Sequence, residues 1–69
     1  MKISEKIKEL RIEKGISQKS LGEAIGVSQK AIDYWEREVN EPKIGYILKL
    51  IAFFEVSPNE FFEDIEIRI

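Results

Sequence analysis

The sequence predicts an all-α domain built from five short helices. Three observations carry that expectation. Apolar residues recur at three- and four-residue intervals in successive stretches, the spacing that gathers them on one side of a helix. Serine, glycine or proline interrupts the pattern at helix-length intervals. The chain has 69 residues, of which 43% are hydrophobic, enough for one small core and too many for a disordered tail.

Ile3, Ile7 and Leu10 are separated by charges, which predicts a first amphipathic helix over about 2–13. Lys14-Gly15 marks its end, because glycine accepts the left-handed turn that follows a helix. Ser17 is a suitable N-cap for a second helix over about 18–25, with Leu21 and Ile25 as its apolar pair. Gly26 supplies the next turn. Ser28 caps a third helix over about 29–37, whose apolar side is Ile32 and Trp35. Asn40-Glu41-Pro42 breaks the pattern, and Pro42 suits a first helical position. A fourth helix follows over 43–54 with Ile44, Ile47, Leu48, Ile51 and Phe54 inward. Ser57-Pro58-Asn59-Glu60 has the form of a capping box and opens a short fifth helix through Phe61 and Phe62. Residues 1–63 thus form one domain. The tail 64–69 alternates charged and apolar residues, the period of a strand, while Phe61, Ile65 and Ile69 also fit a continuing helix. A strand there would need a partner strand, from the N-terminal residues or from a second copy.

Composition excludes several functions. There is no cysteine and no histidine, which removes disulfides, thiolate chemistry, the usual general base and the commonest transition-metal ligand. No catalytic residue, metal or cofactor is expected. No apolar run reaches the roughly 18 residues of a membrane span, and no signal-peptide pattern follows Met1, so a cytoplasmic location is expected. The net charge of −2 conceals an asymmetry: residues 1–54 hold ten Lys/Arg against eight Asp/Glu, residues 55–69 one Arg against five acids.

Two short helices joined by a glycine turn, with apolar anchors Leu21, Ile25, Val27, Ile32 and Trp35, suggest a helix-turn-helix. Gly22 falls where the helices must approach closely, and a side chain there would push them apart. The run Ile16-Ser17-Gln18-x-x-Leu21-Gly22-x-x-Ile25-Gly26-Val27-Ser28-Gln29-x-x-Ile32-x-x-Trp35-Glu36 resembles the XRE-type helix-turn-helix domain of phage Cro and CI repressors and many bacterial regulators. The likeness continues through Pro42 and Val56-Ser57-Pro58-x-Glu60 and covers nearly the whole chain. It implies a compact, lambda-repressor-like five-helix fold with the third helix in the major groove of double-stranded DNA. It further implies a phosphate contact at Gln18, base contacts at Gln29, Lys30 and Tyr34, and a structural pair between Glu36 and Arg11. Family members often bind operators as dimers.

Residue chemistry refines these roles. Successive residues turn by about 100° on a helix, so Ile32 and Trp35 face the core while Gln29, Lys30, Asp33, Tyr34 and Arg37 spread over the opposite side. That face carries Lys30 and Arg37 against Asp33 and is mildly positive. Gln29 is able to bond adenine N6 and N7 together; the alternative is an ordinary solvated amide. Lys30 reaches either guanine O6/N7 or a phosphate. Tyr34 either meets a thymine methyl or a phosphate, or packs on its own helix. Asp33 is able to accept from cytosine N4, and its i+4 spacing to Arg37 favours an ion pair. Gln18, Lys19, Ser28, Arg37, Asn40 and Lys43 are the phosphate candidates, at helix termini or in loops beside this face. Glu38 and Glu41 depart from the more basic loop of some relatives, so one subunit is expected to bind weakly and two linked copies tightly.

Phe53 is a second departure, since a small residue is usual there in the family. Phe53, Phe61, Phe62, Ile65, Ile67 and Ile69 give more apolar surface than a core of this size needs, which suggests a homodimer surface; the alternative is a core filled with larger side chains. The function expected is a sequence-specific regulator, a repressor on a palindromic operator. The alternative is an antitoxin-like or other protein-interaction module on the same scaffold. No membrane and no small-molecule ligand is expected among its partners.

Overall fold

In a computed structural model that describes residues 2–63, each serine expected to open a helix does so. Ser17 Oγ accepts the N–H of Ser20 at 3.0 Å, Ser28 Oγ that of Ala31 at 3.1 Å and Ser57 Oγ that of Glu60 at 3.0 Å. Each bond satisfies an amide that the helix itself leaves without a partner, a contribution of about 1 kcal/mol. The elements are α1 (Ile3–Lys14), α2 (Gln18–Ile25), α3 (Gln29–Glu36), α4 (Ile44–Phe54) and α5 (Pro58–Phe62). All described residues outside them are turns and loops. The choice between strand and helix for residues 64–69 lies outside the described residues, as do Ile65, Ile67 and Ile69.

The ends of α1 and α4 share one geometry with different residues. Gly15 (φ 71°) follows α1 and donates to Ile12 O at 2.9 Å, while Ile16 N donates to Arg11 O at 3.3 Å. Glu55 (φ 55°) follows α4 and donates to Ala52 O at 3.2 Å, while Val56 N donates to Ile51 O at 3.3 Å. In this left-handed turn a Cβ crowds the carbonyl that follows, which glycine avoids. Glu55→Gly is therefore expected to stabilise the chain by about 1 kcal/mol. A rise in the urea midpoint checks this; a fall would show that the Glu55 side chain contributes more than the turn costs.

The core comprises Ile7 and Leu10 of α1, Leu21 and Ile25 of α2, Ile32 and Trp35 of α3, Ile47, Leu50 and Ile51 of α4, and Phe61 of α5. α2 packs most closely on α3, while α1 lies against α3 and α4. Three sequence expectations need correction. Ile44 and Leu48 do not face inward: they are 66% and 57% exposed, and Leu50, absent from the expected set, is fully buried in their place. From Ile44 to Phe54 every residue except Lys49 is apolar or glycine, so periodicity alone does not choose a face. Pro42 is not a first helical position; Lys43 is the N-cap and the buried Pro42 precedes it. Phe61 was expected on an exposed self-association surface, but it is fully buried, because one turn from Ser57 carries it under the other helices. Phe53 is half-buried with the Lys14 ammonium 5.1 Å from its ring centroid, and Phe62 remains 37% exposed, edge-on to Phe61.

Candidate nucleic-acid interface

Gly22 sets the approach of α2 to α3. A Cβ added there would lie 2.6 Å from Val27 O and 3.2 Å from the carbonyl carbon and oxygen of Ser28, so only hydrogen fits. Gly26 (φ 84°) turns the chain, and both its N–H and that of Val27 close on Gly22 O, at 2.8 and 2.9 Å. Three residues after Gly26 the new helix starts, with Ile32 and Trp35 sunk in the core.

The opposite side of α3 is open. Gln29, Lys30 and Arg37 are exposed, and Asp33 and Tyr34 are half-exposed. A shallow cleft between the starts of α2 and α3 is lined by Gln18, Ser28, Gln29, Lys30 and Asp33. Tyr34 lies between two cations of its own helix face, with Lys30 Nζ 5.4 Å and Arg37 Cζ 5.5 Å from its ring centroid. Such contacts fix the ring's direction at about 0.5–1 kcal/mol each when exposed. Lys19, Asn40 and Lys43 are also exposed; Lys19 belongs to the first turn of α2 and Lys43 is the N-cap of α4.

A polar cluster anchors the face from behind. Arg11 Nε donates to Glu36 Oε2 at 2.7 Å and Nη2 to Oε1 at 3.0 Å, a two-pronged bond between α1 and α3. The third guanidinium nitrogen, Nη1, donates to Ile16 O at 2.9 Å, which ties in the loop before α2. The side chains are only 14% and 3% exposed, and the bond to Glu36 raises the guanidinium pKa against the opposing effect of burial. Gln18 Nε2 completes the cluster, donating to Glu36 Oε1 at 3.2 Å and Asp33 Oδ1 at 3.4 Å.

Asp33 pairs with Arg37 as the i+4 spacing suggests, with Arg37 Nε and Nη2 each 2.9 Å from Oδ2. This bond, with a smaller aid from Gln18, holds the Asp33 carboxyl below the usual range against the opposing effect of desolvation. Glu38, in a left-handed turn at φ 61°, pairs with Lys2 at 3.3 Å. Reading the sequence missed three of these side-chain contacts, Gln18 with Asp33, Gln18 with Glu36 and Lys2 with Glu38. The partners stand 15, 18 and 36 residues apart, and no local spacing announces them. Among the described residues no group of three or more Asp or Glu is placed to hold a metal ion, and no helix is long and apolar enough to cross a membrane.

Comparison with known proteins locates this geometry. Residues 7–61 match the family model described as helix-turn-helix. The chain is 32% identical over 66 residues to the cryptic phage CTXphi transcriptional repressor RstR of Vibrio cholerae, covering 96% of this chain and 60% of that protein. It is 34% identical over 62 residues to the HTH-type transcriptional regulator y4wC of Sinorhizobium fredii, covering 90% of this chain and 43% of that protein. It thus spans about half the length of these two relatives. Among solved structures it is similar to the P22 c2 repressor in complex with a synthetic operator, at 33% identity and TM-score 0.81, covering 91% of this chain and 96% of that one. It is also similar to the restriction-modification controller protein C.AhdI of Aeromonas hydrophila, at 30% identity and TM-score 0.79, covering 87% of both chains.

Proposed function

Since this chain belongs to the XRE-type helix-turn-helix family of DNA-binding transcriptional regulators, we propose that it is a repressor that binds a palindromic operator as a homodimer, with α3 of each copy in the major groove. The observation that carries the proposal is the division of α3 into two faces. Ile32 and Trp35 are sealed in the core and Glu36 is clamped by Arg11, while Gln29, Lys30, Asp33 and Tyr34 face outward together. A helix held this rigidly presents its outer side chains to base edges without first paying an ordering cost.

Gln29, Lys30 and Tyr34 are the base readers. Gln18, Lys19, Ser28, Asn40 and Lys43 supply phosphate contacts, which set register and affinity, while Arg37 is a phosphate donor held back by Asp33. Exposed Ile44, Leu48 and Phe62 and half-buried Phe53 favour dimer contacts on α4 and α5. The relative with a repressor's name and the operator-bound P22 c2 structure support repression and duplex DNA as the partner. Action on DNA in turn supports a cytoplasmic location.

Selection of bound sites from random duplex DNA tests the reading. Recovered sites are expected to be inverted repeats with half-site centres about one helical turn, 34 Å, apart. Gln29→Ala is expected to change the preferred base at one position per half-site. Lys43→Ala is expected to weaken all sequences alike and to lower the salt slope by about one per subunit. Equal losses on every sequence for both variants would remove the base-reading role of Gln29. Binding that does not weaken with salt would favour the protein-interaction alternative.

A further inference from the structure

Asp33 holds two of the donors assigned to phosphate, and it does so unequally. The inference that follows rests on the proposed reading of α3 as the duplex-binding helix. Arg37 directs both Nε and Nη2 at one oxygen, Oδ2, at 2.9 Å each. The other oxygen, Oδ1, meets only the Gln18 amide at 3.4 Å, and that amide is shared with Glu36 Oε1 at 3.2 Å. Oδ2 is therefore well occupied and Oδ1 weakly so. An ionised carboxylate offers about four lone-pair sites and no donor, and the Arg37 bond favours that form of Asp33. Asp33 shares its cleft with Gln18, Ser28, Gln29 and Lys30. A base edge entering the cleft meets an acceptor-only group there.

We propose that Asp33 is a specificity-determining residue that uses its two oxygens differently: Oδ2 withholds Arg37 from phosphate, and Oδ1 accepts a base edge carrying an exocyclic amine while rejecting one that carries only acceptors. The amines available in the major groove are cytosine N4 and adenine N6; guanine offers O6 and N7, and thymine O4. Every base pair has one such amine, so Asp33 selects which strand carries it. A duplex with guanine O6 or thymine O4 opposite Oδ1 meets acceptor against acceptor, and Arg37 remains engaged within the protein. Of the two cations on this face, Lys30 alone then grips an unselected duplex. Asp33 thereby lowers non-specific binding more than operator binding, which is what specificity against competing DNA requires.

The test compares the unaltered chain with Asp33→Asn on a selected site and on an unselected duplex of the same length, across a salt series. The amide keeps the size of the side chain, donates as well as accepts, and releases Arg37. Binding of the variant to the unselected duplex is expected to tighten about tenfold, with a salt slope steeper by about one per subunit. Inverting the base pair opposite Asp33 is expected to cost the unaltered chain about tenfold or more and the variant about twofold or less. With Arg37→Gln already in place, the gain in slope is expected to vanish. Unchanged non-specific affinity and base preference in Asp33→Asn would overturn the proposal. A gain in slope that survives Arg37→Gln would overturn the withholding of Arg37. If the unaltered chain bound no duplex even at low salt, the DNA-reading proposal itself would fall; binding with an unresponsive Asp33→Asn would remove only the role of Asp33.

Discussion

Replacing Glu36 with alanine is expected to destabilise the chain by about 3 kcal/mol, which for a domain of this size lowers the melting temperature by about 15 °C. The reason is what the substitution leaves behind. The Glu36 side chain is 3% exposed and accepts two charge-assisted bonds from Arg11 and one from Gln18. Removing it strands a guanidinium that is 14% exposed and retains only Ile16 O as a strong partner. An uncompensated charge in such a place costs far more than the intact pair contributes. Replacing both partners by apolar residues of similar volume, Arg11→Met with Glu36→Leu, is therefore expected to cost much less than the single change. Thermal melts and urea unfolding of the three variants measure this directly. A loss under about 1 kcal/mol for Glu36→Ala would put the pair with exposed ion pairs and end its role as the clamp on α3.

Gly22→Ala is the second change with a large expected effect, about 3 kcal/mol of stability through overpacking. The added methyl would sit 2.6 Å from Val27 O and 3.2 Å from Ser28 C and O. These are backbone atoms, so no side-chain rotation relieves the contact. Either α2 and α3 separate, opening the core at Leu21 and Ile32, or the turn deforms and carries Ser28 and Gln29 with it. Duplex binding is expected to fall even at temperatures where the variant remains folded. Gly45→Ala is the control: nothing lies within 4 Å of a Cβ at that position, and little change is expected. If the two alanine variants melted together, the close approach of α2 and α3 would not be what Gly22 protects.

Much of the architecture was legible because its determinants are local. A serine three residues before an amide, a glycine after the last turn and an apolar residue every third or fourth position each act within one or two turns. The starts of α2, α3 and α5 follow from Ser17, Ser28 and Ser57. The outward set on α3 followed in the same way, because Ile32 and Trp35 are its apolar pair and the polar residues take the other side. The Asp33–Arg37 pair is also local, four residues along one helix. The Arg11–Glu36 pair spans 25 residues and entered the sequence reading only through resemblance to a family.

The sequence by itself determined the number of helices, their order, the turn between α2 and α3, and which side of α3 is polar. Only the tertiary structure decided that α4 buries Leu50 and leaves Ile44 and Leu48 in solvent, and that Phe61 belongs to the core. It also joined Gln18 to Asp33 and Glu36. Two physical reasons account for this. Where a helix is apolar almost all round, every face gains from burial, and the neighbouring helices choose among them by shape. Where two polar side chains are far apart in the chain, nothing in their spacing fixes their distance, which the packing of α1, α2 and α3 sets instead.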